Sequence, residues 1–365
     1  MQIFNTTVTD EAIDHVTTVL RSTFLNEGQA VRDFEAALRE AVAAPHVATL
    51  NSCTSALHLV LEVLGVGPGD EVIVPPQTFI ATGLVVLHAH ATPVFTDIDP
   101  ETGNISAASI REKITPRTKA VIAVHWGGAP VDLDAIRTVC DDAGVVLIED
   151  AAHAFGARWR GQPIGSISRF TCFSFQAIKG MTTGDGGAIA CLDDQDSDDV
   201  YTRRWFGIDK RKIVANDIGE RSALIEQLGY KYHMNNIAAA LGLGNLPTFP
   251  ARLARRREID TRYRAALAGF TDATPLKPLD GAESSCWLFG LLLDRREDFG
   301  RAMKDRGVPV SVIDRRIDRH PVFGGLAPDL PGAERFDALH IAVPLHDGLS
   351  DVEVEQVIEA IKAGW

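Results

Sequence analysis

The chain has 365 residues, enough for two domains or one large one at roughly 100–200 residues each, and its 45% apolar and 23% charged content suits a globular protein with a sizeable core. A net charge of −13 argues against nucleic acid as a partner, because binding a phosphate backbone needs an excess of Lys and Arg on one face. Five cysteines without a CxxC pair argue against a disulfide framework or zinc site; with no signal-peptide pattern at Met1–Asn5 and no apolar run near the roughly 20 residues of a membrane helix, a cytoplasmic protein without membrane contact is expected.

In chain order, short apolar runs alternate with helical patterns from about residue 45 to 190. Strands are expected at 47–50, 71–74, 93–96, 120–124, 145–149 and 170–175, with helices at 55–64, 80–89 and 131–143. That alternation predicts an α/β fold, a mostly parallel sheet with helices on both faces, and strands that are apolar throughout because both faces are covered. Beyond Gly229 the texture changes. Helices at 234–246 and 251–267 flank the break Pro247–Pro250, and a smaller α+β pattern follows. It comprises strands at 287–293 and 308–312 and helices at 296–306 and 352–363. The expected division is a large domain over 1–250 and a small one over 251–365.

In such a sheet, ligands bind beyond the carboxyl ends of the strands, so polar residues there are the informative ones. Thr54 and Ser55 stand where a strand gives way to a helix, which suits an anion cradle or an ordinary N-cap. Phe79 closes a second such segment, Pro76–Phe79. Glu149 and Asp150 end an apolar strand shortly before His153. A buried carboxylate there needs a cation or hydrogen bonds, which a protonated ring nitrogen or a turn could supply. Ser174 and Lys179 follow the strand at 170–175 and precede a Gly-rich turn at 182–187. Desolvation there would lower the lysine pKa and leave the free amine that imine chemistry requires; the plain alternative is a surface lysine in a loop. No metal site is expected, since His88 and His90 have no third ligand nearby in sequence.

Taken together, these segments resemble the DegT/DnrJ/EryC1/StrS family of pyridoxal-phosphate (PLP) sugar aminotransferases. The resemblance runs from Leu25–Gly28 through Asn51–Leu57, Gly67–Ile73, Thr78–Thr82, Val124–Gly128, Glu149–Gly156, Phe173–Phe175 with Lys179, and Gly229–Met234, to Val343–Leu345. It implies the aspartate-aminotransferase-like fold type I and a homodimer with shared active sites. It also implies pyridoxal 5'-phosphate as cofactor, L-glutamate as amino donor and a nucleotide-linked keto-sugar as acceptor. By resemblance, Lys179 is the lysine that binds the cofactor covalently, and Asp150 is the partner of the pyridine nitrogen. His153 lies near the cofactor's 3′-oxygen and Phe79 stacks on its ring. Thr54, Ser55 and Ser174 are the phosphate ligands. Lys231 stands where many members carry an Asn that reaches the neighbouring subunit's phosphate, and Cys53 stands where the family has Gly. Arg315, Arg316, Arg319 and His320 form a basic run that could meet a diphosphate or sugar hydroxyls, or form a solvated turn. A sugar dehydratase of the same family is disfavoured by the presence of Lys179. An idle, regulatory relative is poorly suited to the acidic charge. An aminotransferase for a non-nucleotide cyclic ketone stays open.

Overall fold

The computed structural model describes residues 1–221 and 223–365. Its first part alternates helix and strand: α1 (Asp10–Ser22), α2 (Gln29–Val42), β1 (His46–Leu50), α3 (Cys53–Val63), β2 (Glu71–Val74), α4 (Ala81–His88), β3 (Thr92–Phe95), α5 (Ala107–Lys113), β4 (Thr118–Val124), α6 (Leu133–Ala143) and β5 (Val146–Ala151). Two short strands, β6 (Arg158–Trp159) and β7 (Gln162–Pro163), precede β8 (Phe170–Ser174), β9 (Gly187–Cys191), α7 (Asp194–Arg203), α8 (Asn236–Asn245) and α9 (Phe249–Ala266). The C-terminal part holds β10 (Thr274–Pro275), β11 (Ala282–Glu283), β12 (Phe289–Leu292), α10 (Arg296–Asp305), α11 (Pro331–Leu339), β13 (His340–Val343) and α12 (Asp351–Lys362).

The main sheet has the order β1-β9-β8-β5-β4-β2-β3. Strands β2 to β5 and β8 pair in parallel, and β9 runs antiparallel to both of its neighbours. Alternate side chains feed two cores, as a period of two requires. Val121, Ala123, Leu147 and Phe173 join the core beneath α2 and α6, whereas Ala120, Ile122, Ile148 and Cys172 join the core beneath α3 and α4. This is the mostly parallel, doubly covered α/β sheet expected from the sequence. The antiparallel β9 was not among the expected strands, because Gly187-Ala188-Ile189-Ala190-Cys191 has little of the β-branched and aromatic content that marks one.

A third core lies in the C-terminal part, between the small sheet β10-β12-β13 and α10 and α12. Helix α9 links cores: Phe249 and Leu253 sit in the first, Ile259 and Tyr263 in the third. The strand expected at 308–312 does not form. Pro309 lacks the N–H a ladder needs, and only Ser311 pairs, through an isolated bridge to Ala342. Among the described residues no helix is long and apolar enough to cross a membrane.

Candidate active site

The carboxyl ends of β1, β2, β5 and β8 open on one cavity of about 390 Å³, where Thr54, Phe79, Asp150, His153, Ser174 and Lys179 meet. It sits at the position that a parallel sheet reserves for ligands.

The two acids of β5 point to opposite faces, because successive strand side chains alternate. Glu149 accepts hydrogen bonds from Ser168 N at 3.1 Å, Thr171 Oγ1 at 3.3 Å and His125 Nε2 at 2.8 Å. Val131 N donates to His125 Nδ1 at 3.1 Å, which fixes the proton on Nε2 and makes His125 the donor to Glu149. Asp150 faces the cavity. Its Oδ2 accepts from Thr82 Oγ1 at 2.9 Å and its Oδ1 from Ala152 N at 3.1 Å, with Cys53 Sγ at 3.9 Å. Since the Thr82 hydroxyl proton is committed to Asp150, Thr78 must donate in the 2.8 Å contact between the two threonines. Burial pushes the Asp150 carboxyl above its ordinary pKa. Among the described residues, none forms an ion pair with it.

Lys179 lies in the turn after β8, its N–H bonded to the Gln176 carbonyl at 2.9 Å. Its Nζ stands 4.0 Å from the Trp287 ring centroid. Burial lowers its pKa to about 8, against the pull of Cys53, Asp150 and Asp314. The Trp287 indole donates to the Ile178 carbonyl at 3.1 Å and lies flat on the His153 ring, with centroids 3.6 Å apart and planes 10° apart. Burial holds His153 neutral, and its Nδ1 has no hydrogen-bond partner among the described residues.

Helix α3 begins at the cavity wall. Ser52 caps it, accepting from Ser55 N at 3.0 Å and donating to Ser55 Oγ at 3.0 Å. Ser52 and Thr54 therefore line the cavity, while Ser55 is turned into the cap behind it. Phe79 is 58% exposed and offers an open aromatic face. Lys231 is exposed and lies outside its own chain's cavity, bridged through its backbone to Trp205. The basic run is not a free cationic cluster. Arg315 makes two 2.6 Å contacts to Asp337, and Arg316 contacts Asp318 at 3.0 and 2.6 Å. Arg319 and His320 are exposed, and none of the four lines the cavity.

Sequence reading missed Thr82, Trp287, Asp314 and Phe4, all of which line the cavity. Thr82 was discoverable, four residues beyond Thr78 in the first turn of α4. Trp287 comes from more than a hundred residues beyond Lys179, and local pattern carries no trace of the meeting.

A profile described as the DegT/DnrJ/EryC1/StrS aminotransferase family matches residues 6–362. The chain belongs to this family. The spore coat polysaccharide biosynthesis protein SpsC of Bacillus subtilis is 37% identical over 96% of this chain and 94% of its own. The sugar aminotransferase CalS13 from Micromonospora echinospora matches with a TM-score of 0.95 at 32% identity, covering 100% of both chains. Spr1654 from Streptococcus pneumoniae, solved in PMP form, matches with a TM-score of 0.92 at 32% identity over 100% of this chain and 97% of its own. The protein is thus a PLP-dependent aminotransferase. Its cavity suits that cofactor: a buried carboxylate forms no ion pair among the described residues, a desolvated amine stands nearby, a helix N-terminus and hydroxyls offer an anion cradle, and an aromatic face lies open.

Proposed function

We propose that this aminotransferase moves an amino group from L-glutamate to a nucleotide-linked keto-deoxyhexose in amino-sugar biosynthesis. It works in the cytoplasm as a homodimer whose active sites are shared. The sugar aminotransferase and polysaccharide-biosynthesis relatives support the substrate class. One observation carries the catalytic assignment: Lys179, with its pKa lowered to about 8, shares a cavity with the cation-seeking Asp150.

PLP, when bound, supplies the electron sink that makes an amino acid's α-proton removable. Lys179 holds the cofactor covalently and, once displaced, accepts a proton at Nζ from the donor's α-carbon. It would pass that proton to the cofactor's carbon within the same half-reaction; in the second it would take one back from there and give it to the acceptor's carbon, serving as base and then acid each time. Asp150 keeps its charge opposite a protonated ring nitrogen, oriented by Thr82 and Ala152. His153, neutral and held flat by Trp287, would meet the cofactor's 3′-oxygen. Phe79 stacks on the ring. Thr54 and Ser174 bind the phosphate at the start of α3, and Ser55 supports that cradle from inside the cap. Lys231 reaches the neighbouring subunit's phosphate. Arg319 and His320, exposed where Arg315 and Arg316 are paired, meet the nucleotide diphosphate.

The test is turnover of purified holoenzyme with glutamate and a panel of nucleotide keto-sugars, with inososes in parallel, following 2-oxoglutarate. Turnover of a nucleotide keto-sugar is expected. Turnover of an inosose alone would replace the nucleotide reading, and borohydride tagging of a peptide without Lys179 would end the catalytic one.

A further inference from the structure

The run 313–320 carries three arginines and a histidine but turns none of them to the cavity. The charged side chain it presents there is an acid, Asp314. The lining of that cavity contains three carboxylates, Asp150, Asp185 and Asp314, against one ammonium, Lys179. Asp150 is held by Thr82 and Ala152, and Asp185 accepts from Gly186 N at 3.0 Å. Asp314 differs. Among the described residues none donates a hydrogen bond to its carboxylate, although the residue is half-buried.

The backbone beneath it is constrained. Asp314 has a φ of 50°, in the left-handed region that non-glycine residues visit rarely and Asp tolerates better than most. Such a conformation persists where neighbouring structure over-determines it, often at ligand clamps. Two contacts do so here. Gln77 Nε2, buried in the loop that follows β2, donates to the Asp314 carbonyl at 2.8 Å, and Ile317 N donates to the Pro76 carbonyl of the same loop at 2.8 Å. The acid therefore stands on a stalk fixed to the loop at the carboxyl end of β2. An ionised carboxylate only accepts hydrogen bonds, and a half-buried one without protein donors keeps its acceptor sites free for a ligand's O–H groups.

We propose that Asp314 is a specificity-determining residue for the amino acceptor, taking hydrogen bonds from hydroxyl groups of the ketone substrate. This rests on the keto-sugar reading above. It makes a hydroxylated ketone the preferred acceptor over its deoxy counterpart, because a site built to accept hydrogen bonds leaves its acid unpaired when the hydroxyl is missing.

The test compares kcat/KM of the holoenzyme for two nucleotide-linked keto-hexoses, one with a hydroxyl on the carbon beside the carbonyl and one with hydrogen there. If only inososes are turned over, an inosose and its deoxy analogue form the pair. Asp314→Asn preserves the shape, and Asp314→Gly suits the left-handed backbone while removing the acid. Both should cut kcat/KM for the hydroxylated ketone roughly 10- to 100-fold and leave most of the deoxy rate, so the preference collapses. Equal losses on both ketones, together with a shifted pH midpoint of the donor half-reaction, would make Asp314 a partner of Lys179 instead and overturn the proposal. Unchanged preference in both variants, with keto-sugar turnover intact in the wild type, would sink this inference alone. Failure of every hydroxylated ketone with the wild type would sink it together with the keto-sugar reading.

Discussion

Glu149 and Asp150 are adjacent carboxylates, both buried on one strand, yet they do opposite work. Glu149 is closed: His125, Ser168 and Thr171 satisfy it, and nothing about it faces the cavity. Asp150 is open: its donors orient it, but among the described residues no cation forms an ion pair with it. A buried acid whose bonds are complete belongs to the scaffold, and one left short of a cation waits for a ligand.

Substitutions should separate the two roles. The largest effect belongs to the open side: Lys179→Ala should lower kcat by ~10³-fold or more while the apoprotein stays folded, measured by turnover and circular dichroism. Asp150→Asn should lower kcat roughly 100-fold. It should also leave the apoprotein at least as stable as wild type in urea unfolding at neutral pH. The sign follows from burial, which raises the Asp150 pKa in the fold above its unfolded value. The ionised form then opposes folding as pH rises through that window, and the amide removes the penalty. Glu149→Ala should behave in reverse, costing about 3 kcal/mol of stability because His125, Ser168 and Thr171 lose their acceptor. Its kcat at saturating PLP should fall far less than that of Asp150→Asn. If both variants lost stability equally, the comparison would fail.

Two smaller effects sharpen it. Lys179 must be neutral to attack an aldehyde, and its pKa in the fold is about 8. The rate of apoprotein combination with PLP, followed by absorbance, should therefore rise with pH through a midpoint near 8. A midpoint near that of an ordinary lysine would refute the desolvation argument. Thr82→Val removes one donor to Asp150 and should lower kcat roughly threefold to tenfold, with Thr82→Ser restoring it.

Much of this was legible before any coordinates. Apolar runs of strand length, separated by helical periods, marked the strands of the sheet apart from β9, and the rule that ligands lie beyond strand ends picked out Lys179, Asp150 and His153. The pair Glu149-Asp150 could be seen but not divided, since which face holds a cavity is not a property of one strand. Arg315 and Arg316 of the basic run were misleading for a similar reason. Asp337 lies more than twenty residues from Arg315, and only folding brings its charge to neutralise the guanidinium. Trp287 and Asp314 were invisible because each reaches the site from the C-terminal half, where no local spacing refers to the sheet.

Helix α9 has a mechanical consequence. Its first turn is gripped by one core and its last by another, and Phe249 packs on Phe155, two residues beyond His153, with centroids 4.9 Å apart. A rod clamped at both ends transmits load without slack, because close-packed interiors compress little. Strain introduced around Tyr263, far along that rod, arrives at the floor beneath His153, so the C-terminal lobe governs how firmly the reaction chamber is braced.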